Sequence, residues 1–460
     1  MDPILFTLAI LLSGSLISAL VKKWSGWIST FILLLSLVIL LFTGFNFSNR
    51  YILFPEFDLS FEIRIDKLSF LFASMILFIS SLASFFSIDF MKKKKNRHFY
   101  FSSLILFATG MYGITLSLNL LQFYIFWELM IIPAFFLIAY WGHNPKVAFT
   151  FFVFMHAGAL LILTGIFWLY VETGNFSLIQ MIQEKNLIPL EVSKWICLLF
   201  LLGFSVKMAI VPLHVWLPDA HSEAPAPISA MLSGLMIGVG GFAIARIVLP
   251  LFSEILLDNS IYLTSFALLT MFYGGLMALA QNDVKRLLAY SSISQMGYVF
   301  FGLFSSNDIA YLGSLLQIFN HALVKALLFF HTGVLMYSTG RRDLREFGGL
   351  MKRMPLTAST CLIAALALSG IPLFNMFVSE WLIFQGSLME GRYLSTAMSI
   401  SMTFLTLAYS LWMIKRIFFG KMMGGKIKEP TLKFKLVMLI LGILIIFFGI
   451  WPAPIIHLLR

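Results

Sequence analysis

Fourteen apolar segments, each long enough to cross a bilayer and joined by short polar connections, leave this 460-residue chain few possible folds. In hydrocarbon every backbone amide needs an internal partner, so such segments become helices. They fall at 3–21, 25–45, 68–90, 99–118, 120–141, 147–171, 195–217, 227–250, 260–280, 285–304, 309–337, 355–385, 394–419 and 434–452. A content of 60% hydrophobic and 12% charged residues agrees, lying outside the globular range. The sequence therefore predicts an all-α polytopic membrane protein, with residues 1–460 forming one integral domain. The longest connections, 46–66 and 172–194, are too short for a separate soluble module. Span 1 lacks a basic leader and a small-residue cleavage site and ends in Lys22 and Lys23, so it reads as a retained helix.

The net charge of +11 would suit nucleic acid, but its distribution excludes that partner. Odd-numbered loops and adjoining helix ends hold Lys22, Lys23, Lys92 to Lys95, Arg97, Lys146, Lys285, Arg286, Arg341, Arg342, Arg345, Lys352, Arg353 and the cluster from Lys415 to Lys435. These are 22 of the 32 basic residues, against seven on the even side. The positive-inside rule then predicts a multi-pass protein of the cell (inner) membrane with odd loops in the cytoplasm and both termini outside. Cys197 and Cys361 sit in separate apolar helices without ligand spacing, which excludes a disulfide framework. Phosphate loops, catalytic triads and haem or iron-sulfur motifs are absent, so no cofactor is expected in this chain.

Two spans are interrupted by proline: span 7 at Pro212 and span 12 at Gly370-Ile371-Pro372. They lie five spans apart, and an odd offset means that they cross in opposite directions. Spans 4–8 (residues 96–252) and 9–13 (258–420) are thus expected to form an inverted repeat, flanked by spans 1–3 (1–95) and the last helix (430–460). Broken helices at matching positions of two such halves point to a transport site.

Charges at membrane depth mark the same place. Lys207 stands five residues before Pro212, where a lysine costs about 2.5 to 3.5 kcal/mol unless it meets water or a counter-charge. Glu128, in Trp127-Glu128-Leu129-Met130, is flanked by apolar residues and is the expected partner of Lys207. A purely structural ion pair is the alternative, but buried pairs seldom stabilise more than apolar replacements would. In span 11, His321 and Lys325 are four residues apart and share a face, with His331 about 9 Å beyond Lys325. That row can relay protons through water. Glu380 follows the break in span 12 by eight residues and reads as a site exit, while Lys285 and Arg286 at the start of span 10 divide evenly between path and interface. His214, Asp219, His221 and Glu223 lack regular ligand spacing and read as the lining of a water entrance; of these His214 joins the expected proton path.

These residues carry a resemblance. Trp127-Glu128, Lys207 with the run from Pro212 to Pro225, the segment Asp283-Val284-Lys285-Arg286-Leu287-Leu288-Ala289-Tyr290, and His321 with Lys325 resemble the antiporter-like proton-pumping subunits of respiratory complex I, Mrp-type sodium/proton antiporters and membrane-bound hydrogenase-like complexes. The resemblance covers nearly the whole chain. It implies a proton path along the membrane plane, with Glu128 and Lys207 as entry pair, Lys325 and His321 as central relay and Glu380 as the link onward. It also implies partners: other antiporter-like and small membrane subunits, and a peripheral redox module holding iron-sulfur, flavin or nickel-iron centres. A standalone sodium/proton antiporter would use the same residues. The segments Phe377 to Gln385 and Phe154-Met155-His156 lean toward the hydrogenase-like branch. One departure stands out: Gly238 occupies a position where many relatives carry lysine, so water or a side chain from elsewhere must join the half-channels.

Overall fold

The computed structural model describes residues 2–54, 59–421, 424 and 427–459. Its helices are α1 Pro3–Leu20, α2 Ser25–Thr43, α3 Lys67–Phe90, α4 Arg97–Leu116, α5 Leu120–Trp141, α6 Pro145–Thr173, the short α7 Leu178–Glu184, α8 Leu190–Met208 and α9 Trp216–Glu223. They continue with α10 Ala226–Asp258, α11 Ser260–Leu279, α12 Val284–Leu303, α13 Asp308–Thr339, α14 Pro355–Leu368, α15 Asn375–Met389, α16 Tyr393–Phe418, α17 Leu432–Ile450 and α18 Ala453–Leu459. Eleven are long and apolar enough to cross a membrane by themselves. The remaining three crossings are α12, whose serines and glutamine lower its hydropathy, and the broken pairs α8–α9 and α14–α15. All fourteen expected spans are therefore present.

Local chemistry fixes the helix ends. Asn119, Asn144, Asp283 and Asn307 each cap a helix by accepting from backbone amides of the first turn, and Gly174 and Gly340 close α6 and α13 in the left-handed conformation. The two breaks share one geometry. At the end of α8, Ala209 is left-handed (φ 58°) and Ile210 N donates to Ser205 O; at the end of α14, Gly370 is left-handed (φ 63°) and Ile371 N donates to Leu366 O. Both are Schellman caps. The freed backbone is covered by protein: Val211 N donates to Thr270 Oγ1 of α11, and Trp216 Nε1 donates back to Val206 O.

Loops of one parity meet on one face. Lys185 Nζ donates to Pro250 O, Ser305 to Glu390, and Asn49 to Asp2, which joins loops 6 and 8, loops 10 and 12, and loop 2 to the N-terminus. On the opposite face Arg342 pairs with Asp283, and Glu223 accepts from the backbone amides of His143 and Asn144. Residues 46–66 are more than a loop: β1 Phe47–Phe54 and β2 Leu59–Ile65 pair antiparallel. The buried Glu62 ties this hairpin down, pairing with Arg50 and accepting from Ser177. Alternating apolar residues such as Ile63 and Ile65, both buried, are the signal that marks the strand.

Candidate functional site

Lys207 ends the last turn of α8, where the negative end of the helix dipole favours a cation. It is buried, and its Nζ lies 3.3 Å from Met155 Sδ and 4.9 Å from the centre of the Trp127 ring. The expected ion-pair contact with Glu128 is replaced by another. Glu128 Oε2 lies 3.1 Å from His156 Nε2 on α6, and it acts on Lys207 only through space. The reason is helical geometry: consecutive residues point about 100° apart, so Trp127 and Met155 turn inward to Lys207 while Glu128 and His156 meet on the outer side of the seam.

The centre of the molecule holds a second group. Lys325, fully buried on α13, donates to Ser291 Oγ and, at 3.2 Å, to Leu288 O of α12. His321 lies one turn before it with both ring nitrogens unpartnered. His221 of α9 faces both: its ring stacks on Phe329 at 4.8 Å, both nitrogens are unpartnered, and it interacts electrostatically with Lys285, Lys325 and His321. Read from sequence as an entrance residue, His221 is fully buried, between Lys285 and the His321–Lys325 pair. The broken helix carries it there: without the break after Lys207, α9 could not turn under the central relay.

Other expectations are redistributed. Lys285 stays inside, donating to Ser222 O and Ala224 O at the C-terminal end of α9. His331 has both nitrogens engaged, with Leu327 O at 2.7 Å and Thr360 Oγ1 at 2.9 Å, so it lacks the open valences of His321. His214 packs edge-on against Tyr273. Asp219 pairs with Arg286 and Glu223 caps a loop, so the four residues resembling ligands are drawn apart, and among the described residues no cluster of three is placed to hold a metal.

Glu380 is buried on α15 beneath the break, reaching toward the side-chain amides of Gln295 and Gln317. Those amides belong to a polar lattice: Gln317 Nε2 donates to Gln295 Oε1 at 2.7 Å, Ser379 donates to Gln317, and Asn320 donates to Ser379 Oγ at 3.0 Å. On α12, Leu288, Ser291, Gln295 and Tyr298 recur at three- and four-residue spacing, a stripe from Lys325 toward Glu380. Tyr409 of α16 places its hydroxyl near Ser291 and Gln295, buried and without a hydrogen-bonded partner. Sequence reading passed over this tyrosine because an aromatic in an apolar helix carries no periodic signal.

Comparison with known proteins decides the family. Residues 117–406 match the family described as NADH:quinone oxidoreductase/Mrp antiporter, TM, and residues 51–101 match the N-terminus of chain 5 of NADH-ubiquinone oxidoreductase (complex I). The chain belongs to this antiporter family. Subunit M of NADH-quinone oxidoreductase from Escherichia coli is 32% identical over 416 residues, spanning 87% of this chain and 81% of the relative. The Pseudomonas aeruginosa subunit M is 31% identical over 470 residues, spanning 96% and 91%. Among solved structures, the archaeal membrane-bound sulfane sulfur reductase superposes with a TM-score of 0.91 at 26% identity over 100% of this chain and 77% of that one. Complex I from Thermus thermophilus gives 0.89 at 25% over 98% and 97%. A chain of the Dietzia Mrp complex shares the fold, at 0.87, 20% identity and coverage of 100% and 96%. The two curated relatives belong to NADH-quinone oxidoreductase, whereas the His156 segment leaned toward the hydrogenase-like branch.

Proposed function

We propose that this chain is the proton-translocating, antiporter-like subunit of a redox-driven membrane complex of the NADH:quinone oxidoreductase type. One observation carries the reading: ionisable side chains from Lys207 through His221 and Lys325 to Glu380 run buried across both half-channels. Each is too costly at membrane depth to be retained for packing. The path favours protons over sodium, because the three buried lysines Lys207, Lys285 and Lys325 exchange protons but repel a metal cation, and hard cations need several oxygen ligands. Redox chemistry belongs to partner subunits, whose conformational or charge changes would bias the Lys207 end and so the proton affinity of Lys325 and Glu380. The face carrying the basic odd loops would lie in the cytoplasm.

The test is a Lys207→Ala complex in energised vesicles. Electron transfer should persist while protons moved per electron fall. Full wild-type stoichiometry would refute the assignment. Purification in mild detergent separates this from a standalone antiporter, since redox subunits copurify only with a redox-driven complex.

A further inference from the structure

The Glu128–His156 contact is not needed by the path from Lys207 to Glu380, and its geometry says something about protons. His156 Nδ1 lies 3.0 Å from Phe152 O. A carbonyl only accepts, so Nδ1 carries a hydrogen. The other nitrogen, Nε2, is 3.1 Å from Glu128 Oε2. A singly protonated ring would present a lone pair there to a carboxylate lone pair, which is repulsive. The contact is bonding only if one further proton lies in it, either on Nε2 beside a carboxylate or on Oε2 beside a neutral ring.

We infer that Glu128 and His156 form a one-proton dyad, a proton-binding site outside the central row, whose occupancy decides whether Glu128 is neutralised by His156 or left as a counter-charge for Lys207. The arrangement of the four residues makes the coupling direct. Trp127 and Met155 contact Lys207, and their chain neighbours Glu128 and His156 contact each other, so α5 and α6 hold the dyad and the lysine on two sides of one seam. The other titratable groups facing the dyad are Tyr124, one turn before Glu128, and Lys207 itself. Around it the outer face is apolar, with Ile125, Phe149, Val153 and Leu160 exposed, so a net charge there is poorly solvated and one shared proton, giving net zero, is the favoured filling.

The transfer balances simply. A loaded dyad beside an uncharged Lys207 amine gives up its proton to that amine; the dyad becomes a neutral ring and a bare carboxylate, and Lys207 becomes an ammonium. One N–H bond forms on lysine as one breaks in the dyad, and the new charges attract across the seam. What this switch does in translocation rests on the function proposed above, but the proton count does not.

Infrared difference spectroscopy of the purified complex in bilayers at neutral pH, with ring-labelled histidine, reads that count. Glu128→Gln and His156→Gln identify the bands of each partner by subtraction, and either variant alone suffices because the isotope marks the ring. The expected result is one proton beyond Nδ1–H: a doubly protonated ring beside a carboxylate, or a singly protonated ring beside a carboxylic acid. In a Lys207→Met complex, whose dyad has no amine to give its proton to, a singly protonated ring beside a carboxylate, or a doubly protonated ring beside a carboxylic acid, overturns the dyad. Either of these counts there, with pumping that still depends on Lys207, sinks this inference and leaves the functional assignment standing.

Discussion

Gly370 lies directly against the carboxylate of Glu380, so that a methyl group at Gly370 would collide with Glu380 Oε2. The break in the second half-channel is thereby tied to its acid: the same glycine supplies the left-handed turn and the space for the carboxylate. Gly370→Ala should cost about 1–2 kcal/mol for the backbone and also displace Glu380. Gly391 is the control, being left-handed with nothing within 4 Å. Gly391→Ala should lower thermal stability similarly while protons pumped per electron stay unchanged. Equal pumping by the two variants would show that the contact is only a packing detail.

The Tyr409 hydroxyl offers a sharper test of the route from Lys325 to Glu380. It is buried without a hydrogen-bonded partner near Ser291 and Gln295, so removing it should not destabilise the fold. Tyr409→Phe is therefore expected to assemble and melt like wild type. If the hydroxyl passes protons, translocation falls about 100-fold or more, as for a lost proton-transfer group. Unchanged translocation with unchanged stability would remove Tyr409 from the route.

Much of this site was legible before any coordinates. The spans followed from apolar length, and the breaks followed from Pro212 and the glycine-proline pair. Lys207, Lys325 and Glu380 announced themselves because a charge among apolar neighbours is conspicuous. What sequence could not supply was direction. Glu128 faces His156 and not Lys207 because neighbouring helical positions diverge, and spacing along one helix does not reveal which residue meets another helix. His221 was misplaced for a related reason: its distance from Pro212 put it in a loop, and only the turn after Ala209 shows that α9 folds back into the core. The β1–β2 pair carries the alternation of a strand, as at Ile63 and Ile65, but a short connection between two spans does not by itself call for strands.

Gly238 shows why a lysine cannot simply be restored. A Cβ there would come 2.6 Å from Ile318 Cγ2 on the facing helix α13. Gly238→Lys should therefore be destabilising by about 1–3 kcal/mol through overpacking, apart from the charge. Pairing it with Ile318→Ala opens the space and should recover assembly, read as the yield of intact complex. If His221 already bridges the half-channels, the double variant gains no translocation over wild type, whereas His221→Phe loses it. A double variant that rescues His221→Phe would show that the two positions are interchangeable.

The Asp66–Arg246 pair predicts how the fold responds to acid. Arg246 Nη1 and Nη2 lie 2.5 and 2.7 Å from the two carboxylate oxygens, and Nη2 also donates to Ser69 Oγ, clamping the start of α3 to α10. Burial opposes the charge on Asp66, but hydrogen bonding and attraction to Arg246 outweigh it and hold the carboxyl down at about 2, against an ordinary 3.8. A folded value below the unfolded one means stability that is complete above about pH 4 and lost as the pH falls toward 2. Because the carboxylate is partly exposed, the contribution is about 1–2 kcal/mol, less than the full shift would give. Arg246→Met leaves Asp66 with only the Ser69 amide and the longer, exposed contact to Arg64 at 3.8 Å, and should cost about 1–3 kcal/mol at neutral pH. Adding Asp66→Asn should recover most of that and flatten the melting temperature between pH 5 and pH 3. A single Arg246→Met variant that melts with wild type at neutral pH would show that the clamp contributes nothing.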